Sequence, residues 1–140
     1  KLIDSLLLQM EKHKTDFTLT FRNLCTLVMD NNESDFQKFR NHFSSSKDIN
    51  NWLSNWKSRL SFEKRNKDNI FTFIKDINPA YIPRNHRIEE MINKALEGDY
   101  SLFNLLNEIL STPFNDQKEY QEYQVPPKEN QIVKQTFCGT

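Results

Sequence analysis

The stretch DINNWLSNWKSRL, residues 48–60, decides the fold. Its apolar residues Ile49, Trp52, Leu53, Trp56 and Leu60 recur at helical spacing, so they share one face of an α-helix; a strand would need alternation with a period of two. Asp48 is expected to cap this helix. The same period extends outward in both directions. Toward the N-terminus, Leu2, Leu6 and Met10 with Ile3 and Leu7 form one stripe, and Phe17, Phe21, Leu24 and Val28 form a second behind an Asp16 cap. After the polar break Asn31-Asn32-Glu33, Ser34 or Asp35 opens a short helix bearing Phe36, Phe39 and Phe43. Ser44 to Ser46 reads as a turn.

Toward the C-terminus, Ile70, Phe71, Phe73, Ile74 and Ile77 predict a helix that ends at Asn78-Pro79, because proline pushes the preceding residue out of the helical region. An ordered loop follows, from Asn78 to His86. Asn85 is then expected to cap a helix carrying Ile88, Met91, Ile92, Ala95 and Leu96, with Glu89 and Glu90 near its positive end. Gly98 suits a left-handed C-terminal cap, and Asp99 starts a last helix with Leu102, Leu105, Leu106 and Ile109, stopped by Thr112-Pro113. The only weak strand candidates are 18–21 and 131–133. The expected architecture is therefore all-α: a bundle of about six or seven short helices over residues 1–111, followed by an extended C-terminal tail over 112–140. Phe114, Tyr120, Tyr123, Val125 and Phe137 are expected to dock the tail.

Composition narrows the function classes. The chain has 140 residues, with 19 Lys plus Arg against 19 Asp plus Glu. A zero net charge argues against nucleic acid or a membrane surface as a partner held by bulk charge. No apolar run approaches the roughly 18 residues that span a bilayer. There are two glycines, Gly98 and Gly139. Neither GxGxxG nor GxxxxGKS can be drawn with them, so neither of these phosphate-cradling loops is present. The chain starts at Lys1 rather than Met, which suggests a piece of a longer product. Asn- and Lys-rich, Ala-poor usage suggests a bacterial source and a cytoplasmic setting.

Few residues offer chemistry. His13, His42 and His86 are scattered without metal-ligand spacing and read as surface histidines. Cys25 lies on an apolar helix face and reads as a small core hydrophobe. Cys138, near the end of the chain, reads on its residue type as an idle terminal cysteine or as an accessible, exchanging thiol. Trp52 and Trp56 are core or an interface anchor. The most specific local feature is the loop of residues 78–86, where Pro79 and Pro83 stiffen the chain, Tyr81 docks it, and Arg84, Asn85 and His86 cluster at a helix start. Two readings stand side by side: a loop held by its own caps, or an anchor against another domain built on Arg84, Asn85, His86 and Tyr81.

Several of these stretches resemble the C-terminal end of selenoprotein O-like proteins: NPAYIPRNHRIEE (78–90), GDYSLFNLL (98–106), STPFNDQ (111–117) with EYQEY (119–123) and the Pro126-Pro127 pair, and the terminal TFCGT (136–140). DFTLTFRNL (16–24) and WLSNWKSRL (52–60) fit the same pattern, so the resemblance covers essentially the whole chain. It implies a parent protein with a kinase-like fold that binds ATP and magnesium and transfers AMP to hydroxyl side chains of protein substrates. The nucleotide site would lie upstream, leaving this region without a catalytic residue or cofactor of its own. Consistent with that, Asp16-Phe17 and Asp35-Phe36 are followed by Thr18 and Gln37, so neither is a DFG motif. The resemblance also implies a redox role for Cys138, through a disulfide with a cysteine of the kinase-like core. The implied partners are that core and the parent's protein substrates, with self-association of the isolated region as a further expectation. The main alternative is a free-standing helical protein-interaction module; a thiol oxidoreductase using Cys138 is a third.

Overall fold

The computed structural model describes residues 1–29, 32–43 and 46–135. Among them are seven α-helices and no strand: α1 Leu2–His13, α2 Phe17–Val28, α3 Glu33–Arg40, α4 Ser46–Leu60, α5 Lys67–Ile77, α6 Asn85–Leu96 and α7 Ser101–Ser111. Two short 3-10 turns follow in the tail, Lys118–Gln124 and Glu129–Gln131. The all-α reading with a tail is what forms, and both weak strand candidates are resolved: 18–21 is helical and 131–133 is not a strand.

The chain divides into two compact units, Lys1–Asn78 and Pro79–Thr140. In the second unit the tail packs with the helices that precede it: Tyr120 and Tyr123 lie against Ala80, Tyr81 and Ile109.

In the first unit α2 packs on α5 and α3, and α1 packs on α4. The core joins Leu6 and Met10 of α1, Leu24, Leu27 and Val28 of α2, Phe36 and Phe39 of α3, Phe43, and Ile49, Trp52, Leu53 and Trp56 of α4. Phe39 stacks on Trp52 and Trp52 on Trp56, each at 6.1 Å between ring centroids. Burying Trp52 requires a partner for its indole N–H, which donates to the Leu2 carbonyl at 2.8 Å and so ties α4 to the start of α1. Cys25 is buried on the core side of α2, as its position on an apolar face predicts. Ile70, Phe71 and Ile74 of α5 pack against this core, while Phe73 and Ile77 are exposed.

Helix ends follow local chemistry, with some shifts from expectation. Asp16 caps α2 by accepting from the Leu19 N–H at 2.8 Å. The α3 cap is Asn32, whose side chain accepts from the Asp35 N–H, rather than Ser34 or Asp35. Helix α4 starts two residues before Asp48; that carboxylate pairs with Lys12 at 2.7 Å, which holds its pKa below the usual value. Gly98 has φ +86°, the left-handed conformation that closes α6, and a Cβ there would meet open space; the strain of any other residue would be in the backbone alone. Asp99 accepts from the Ser101 N–H at 2.9 Å as α7 begins. Arg22 of α2 is buried and donates to the carbonyls of Lys75 (3.0 Å) and Asn78 (2.8 Å), satisfying acceptors at the C-terminal end of α5.

Two measurements check this packing. Trp52→Ala should cost about 3–5 kcal/mol in urea unfolding, against about 1–2 kcal/mol for Trp52→Phe, which keeps an aromatic in the stack but removes the indole bond to the Leu2 carbonyl, leaving Ser5 Oγ as its side-chain donor; equal losses would show that the hydrogen bond alone holds α4 to α1. Tyr81→Phe should cost about 1–2 kcal/mol and speed tryptic cleavage after Lys118, because the buried hydroxyl of Tyr81 holds the tail.

Candidate functional site

The loop of residues 78–86 is built on one carbonyl. Pro79 ends α5, and the next two residues turn their N–H groups onto the Pro113 carbonyl, Ala80 at 2.7 Å and Tyr81 at 3.1 Å. Tyr81 is 2% exposed, and its hydroxyl donates to the Gln117 carbonyl at 2.6 Å. The Gln117 side-chain amide in turn donates to the Ile109 carbonyl at 2.9 Å and the Thr112 carbonyl at 3.2 Å. These bonds close a clasp between the loop, the end of α7 and the tail.

Pro83 then delivers Arg84 in an extended conformation to the start of α6. Arg84 stands at the cap position, so Asn85 is the first helical residue and not the cap the sequence reading assigned. No side chain caps α6, and its first turn holds no acid. His86 lies in that turn, but it is 8% exposed, which corrects the expectation of a surface histidine. Its pKa is pushed down, first by burial and then by the positive charges of Arg87 and Arg84, with Glu90 opposing; the imidazole is held neutral. Arg87 bonds Glu90 at 2.9 Å, reaches the Glu122 carbonyl at 3.3 Å, and lies over the Tyr123 ring at 4.8 Å.

Two clefts open beside His86. One, of about 310 Å³, is bounded by Pro83, Arg84, Asn85 and His86 on one side and by Pro127 and residues 131–133 on the other. The second, of about 540 Å³, adds Glu89, Glu90, Asn93 and Lys134. The four residues expected to form an interdomain anchor thus divide. Tyr81, Arg84 and His86 are buried within this chain and Asn85 is exposed. Of the residues expected to dock the tail, Tyr120 and Tyr123 do so, Phe114 and Val125 are exposed, and Phe137 lies outside the described residues. Cys138 also lies outside them. Gln117, Pro127 and residues 131–133 carry no site role in the sequence reading, where they enter only as family-like stretches and a weak strand candidate. Their roles arise only when the tail folds back, and no local pattern marks them.

His42 is half-buried, with its Nε2 2.6 Å from the Asn23 amide nitrogen; burial lowers its pKa and the charge of Asp16 raises it. No group of three or more His, Cys, Asp or Glu side chains among the described residues is arranged to hold a metal ion. Among the described residues the smaller cleft has no carboxylate in its lining, and the larger has Glu89 and Glu90, on successive residues of α6. No helix among the described residues is long and apolar enough to cross a membrane.

Comparison with known proteins places the chain. Residues 1–111 match the family described as protein adenylyltransferase SelO. The protein nucleotidyltransferase YdiU of Rhizobium etli (strain CIAT 652) is 41% identical over 141 aligned positions, covering 100% of this chain and 28% of the relative. Proteins of the same name from Nitrobacter winogradskyi (40% identical) and Bacillus cereus strain AH820 (41% identical) align over 100% and 99% of the chain and 27% of their own lengths. The chain thus spans little more than a quarter of the relatives it matches. A family match over residues 1–111, joined to whole-chain identity of about 40% with these relatives, means that this chain belongs to the protein adenylyltransferase SelO family.

Proposed function

We propose that this chain is the C-terminal helical region of a kinase-fold protein adenylyltransferase and carries no catalytic residue itself. The observation that carries the reading is the coverage: the chain aligns along its whole length with about 28% of a protein nucleotidyltransferase. In the parent, a hydroxyl of a protein substrate attacks the α-phosphorus of ATP. The bond to the β-phosphate bridging oxygen breaks and diphosphate leaves, the hydroxyl proton passes to a base of the parent or to solvent, and magnesium would balance the phosphate charge. The shortage of glycine supports placing this chemistry elsewhere in the parent, and the Asn- and Lys-rich, Ala-poor usage supports a bacterial, cytoplasmic enzyme.

The role of the region is to pack on the kinase-like core and to deliver Cys138. An apolar groove of about 720 Å³ in the first unit supports a packing surface: Leu2, Ile3, Phe21, Trp56, Ile74 and Ile77 are among its walls. The same groove supports self-association of the isolated region. At Cys138 the thiol pairs with a core cysteine. Two thiols lose two protons and two electrons to an oxidant of the peroxide or disulfide class, and one S–S bond forms.

The isolated chain, given ATP and magnesium, should transfer no AMP to protein; transfer above background would overturn the non-catalytic reading. In the full-length parent, Cys138→Ser should leave activity under reducing conditions unchanged and abolish the change seen on oxidation. A parent whose oxidation response survives Cys138→Ser would overturn the redox role and leave family membership intact.

A further inference from the structure

The apolar groove of about 720 Å³ in the first unit is walled by four helices, α1, α2, α4 and α5. Helix α1 packs on α4 and α2 on α5, so the groove draws its walls from both pairs. Leu6, Leu24 and Trp56 line it from the core, while Ile3 and Ile77 stand on it 68% and 58% exposed. Large apolar side chains left in water along a concave surface mark a place where another apolar element packs.

Charge argues for a permanent occupant rather than a passing one. The charged side chains in the lining balance, Lys1 and Arg59 against Asp4 and Glu63, and Arg59 bonds Glu63 at 2.7 Å. With no excess of either sign, no field steers a charged partner there, and burial of apolar surface is left as the attraction. That is the character of an obligate contact. Helical walls also favour a helix as occupant, because its side-chain ridges fit the grooves that neighbouring helices present.

Position then selects the occupant. Lys1, Leu2 and Ile3 are part of the wall, so polypeptide that precedes Lys1 leaves from the rim of the groove. The chain corresponds to about 28% of its relative's length, and the C-terminal reading places the remainder on that side. We propose that the groove holds an amphipathic helix of the parent lying immediately upstream of Lys1, turned back on α1 as a helical hairpin, with its apolar face on Ile3, Phe21, Trp56 and Ile77. A loop of about two to five residues suffices for such a hairpin. A tether this short holds the helix at millimolar effective concentration, about a thousandfold above a micromolar partner arriving from solution. Proximity therefore favours this helix over a second copy of the chain or a separate protein. This occupant rests on the C-terminal reading of the chain and identifies which part of the parent the groove receives.

The test is photo-cross-linking in the full-length parent. The benzophenone amino acid p-benzoylphenylalanine is placed at Ile3 or, separately, at Ile77, both exposed on the groove, and as a control at Ser54, exposed on α4 outside it. After irradiation, mass spectrometry of the digested products locates the captured peptide. From Ile3 and Ile77 it should come from the roughly 25 residues before Lys1, the span of a short loop and a helix of ordinary length. Its recovery from Ser54 should be at least about tenfold lower, because benzophenone captures only groups in contact with it. Circular dichroism confirms the fold of each substituted parent, and either groove position decides the matter if the other misfolds. Cross-links to a more distant part of the parent, to residues 79–140, or to a second copy at dimer mass would overturn this occupant and leave the C-terminal reading intact. A folded parent with no cross-link at either groove position would do the same. A parent gene with no nucleotidyltransferase sequence upstream of Lys1 would overturn that reading and the occupant together.

Discussion

The Asn78-Pro79 bond is the constraint on which both units depend. Proline has no N–H and excludes its predecessor from the helical region, so α5 must stop at Ile77 whatever the apolar pattern around it. The ends on either side then need partners. On one side, Arg22 reaches from α2 to the carbonyls of Lys75 and Asn78. On the other, the N–H groups of Ala80 and Tyr81 converge on the Pro113 carbonyl. One proline thus ends a helix, separates the first unit from the second and begins the loop that sets the start of α6.

The two units are stabilised by different means. The first has an aromatic core, with Phe36, Phe39, Phe43, Trp52 and Trp56 supplying large buried surfaces to short helices that would be marginal alone. The second has fewer buried apolar side chains and relies more on directed hydrogen bonds, through Tyr81, Gln117 and the carbonyls of Ile109, Thr112 and Pro113. Such bonds are geometrically demanding, and they hold the tail against α6, where residues 127–133 complete a cleft that the helix alone lacks.

Family membership gives the cleft its setting without assigning it a role. The relatives are nucleotidyltransferases by name, and this chain corresponds to about 28% of their length. The cationic wall of Arg84 and the neutral, buried His86 are features of this segment itself. They lie on the stretch NPAYIPRNHRIEE, the most specific part of the sequence on chemical grounds. The physical reason is now visible: the prolines set the backbone, Tyr81 locks it, and the residues that follow are presented at a helix end.

Helical period, proline stops and the Gly98 cap were legible in sequence because each is a local property: an apolar stripe needs only neighbours three and four residues away, and a cap needs only the chain within one turn. The shifts at Asp48 and Asn85 have tertiary causes. Lys12, 36 residues away, takes the Asp48 carboxylate, and the loop clasped by Pro113 delivers Arg84 to the position that Asn85 would otherwise hold. The burial of His86, the clasp at Gln117 and the division at residue 78 rest on contacts between segments far apart in the chain, for which no local pattern exists. By itself the sequence determined that the chain is helical, where most helices stop and which family it resembles. Only the tertiary structure decided which polar groups lose water and which find partners, because burial is a property of packed neighbours and not of any residue alone.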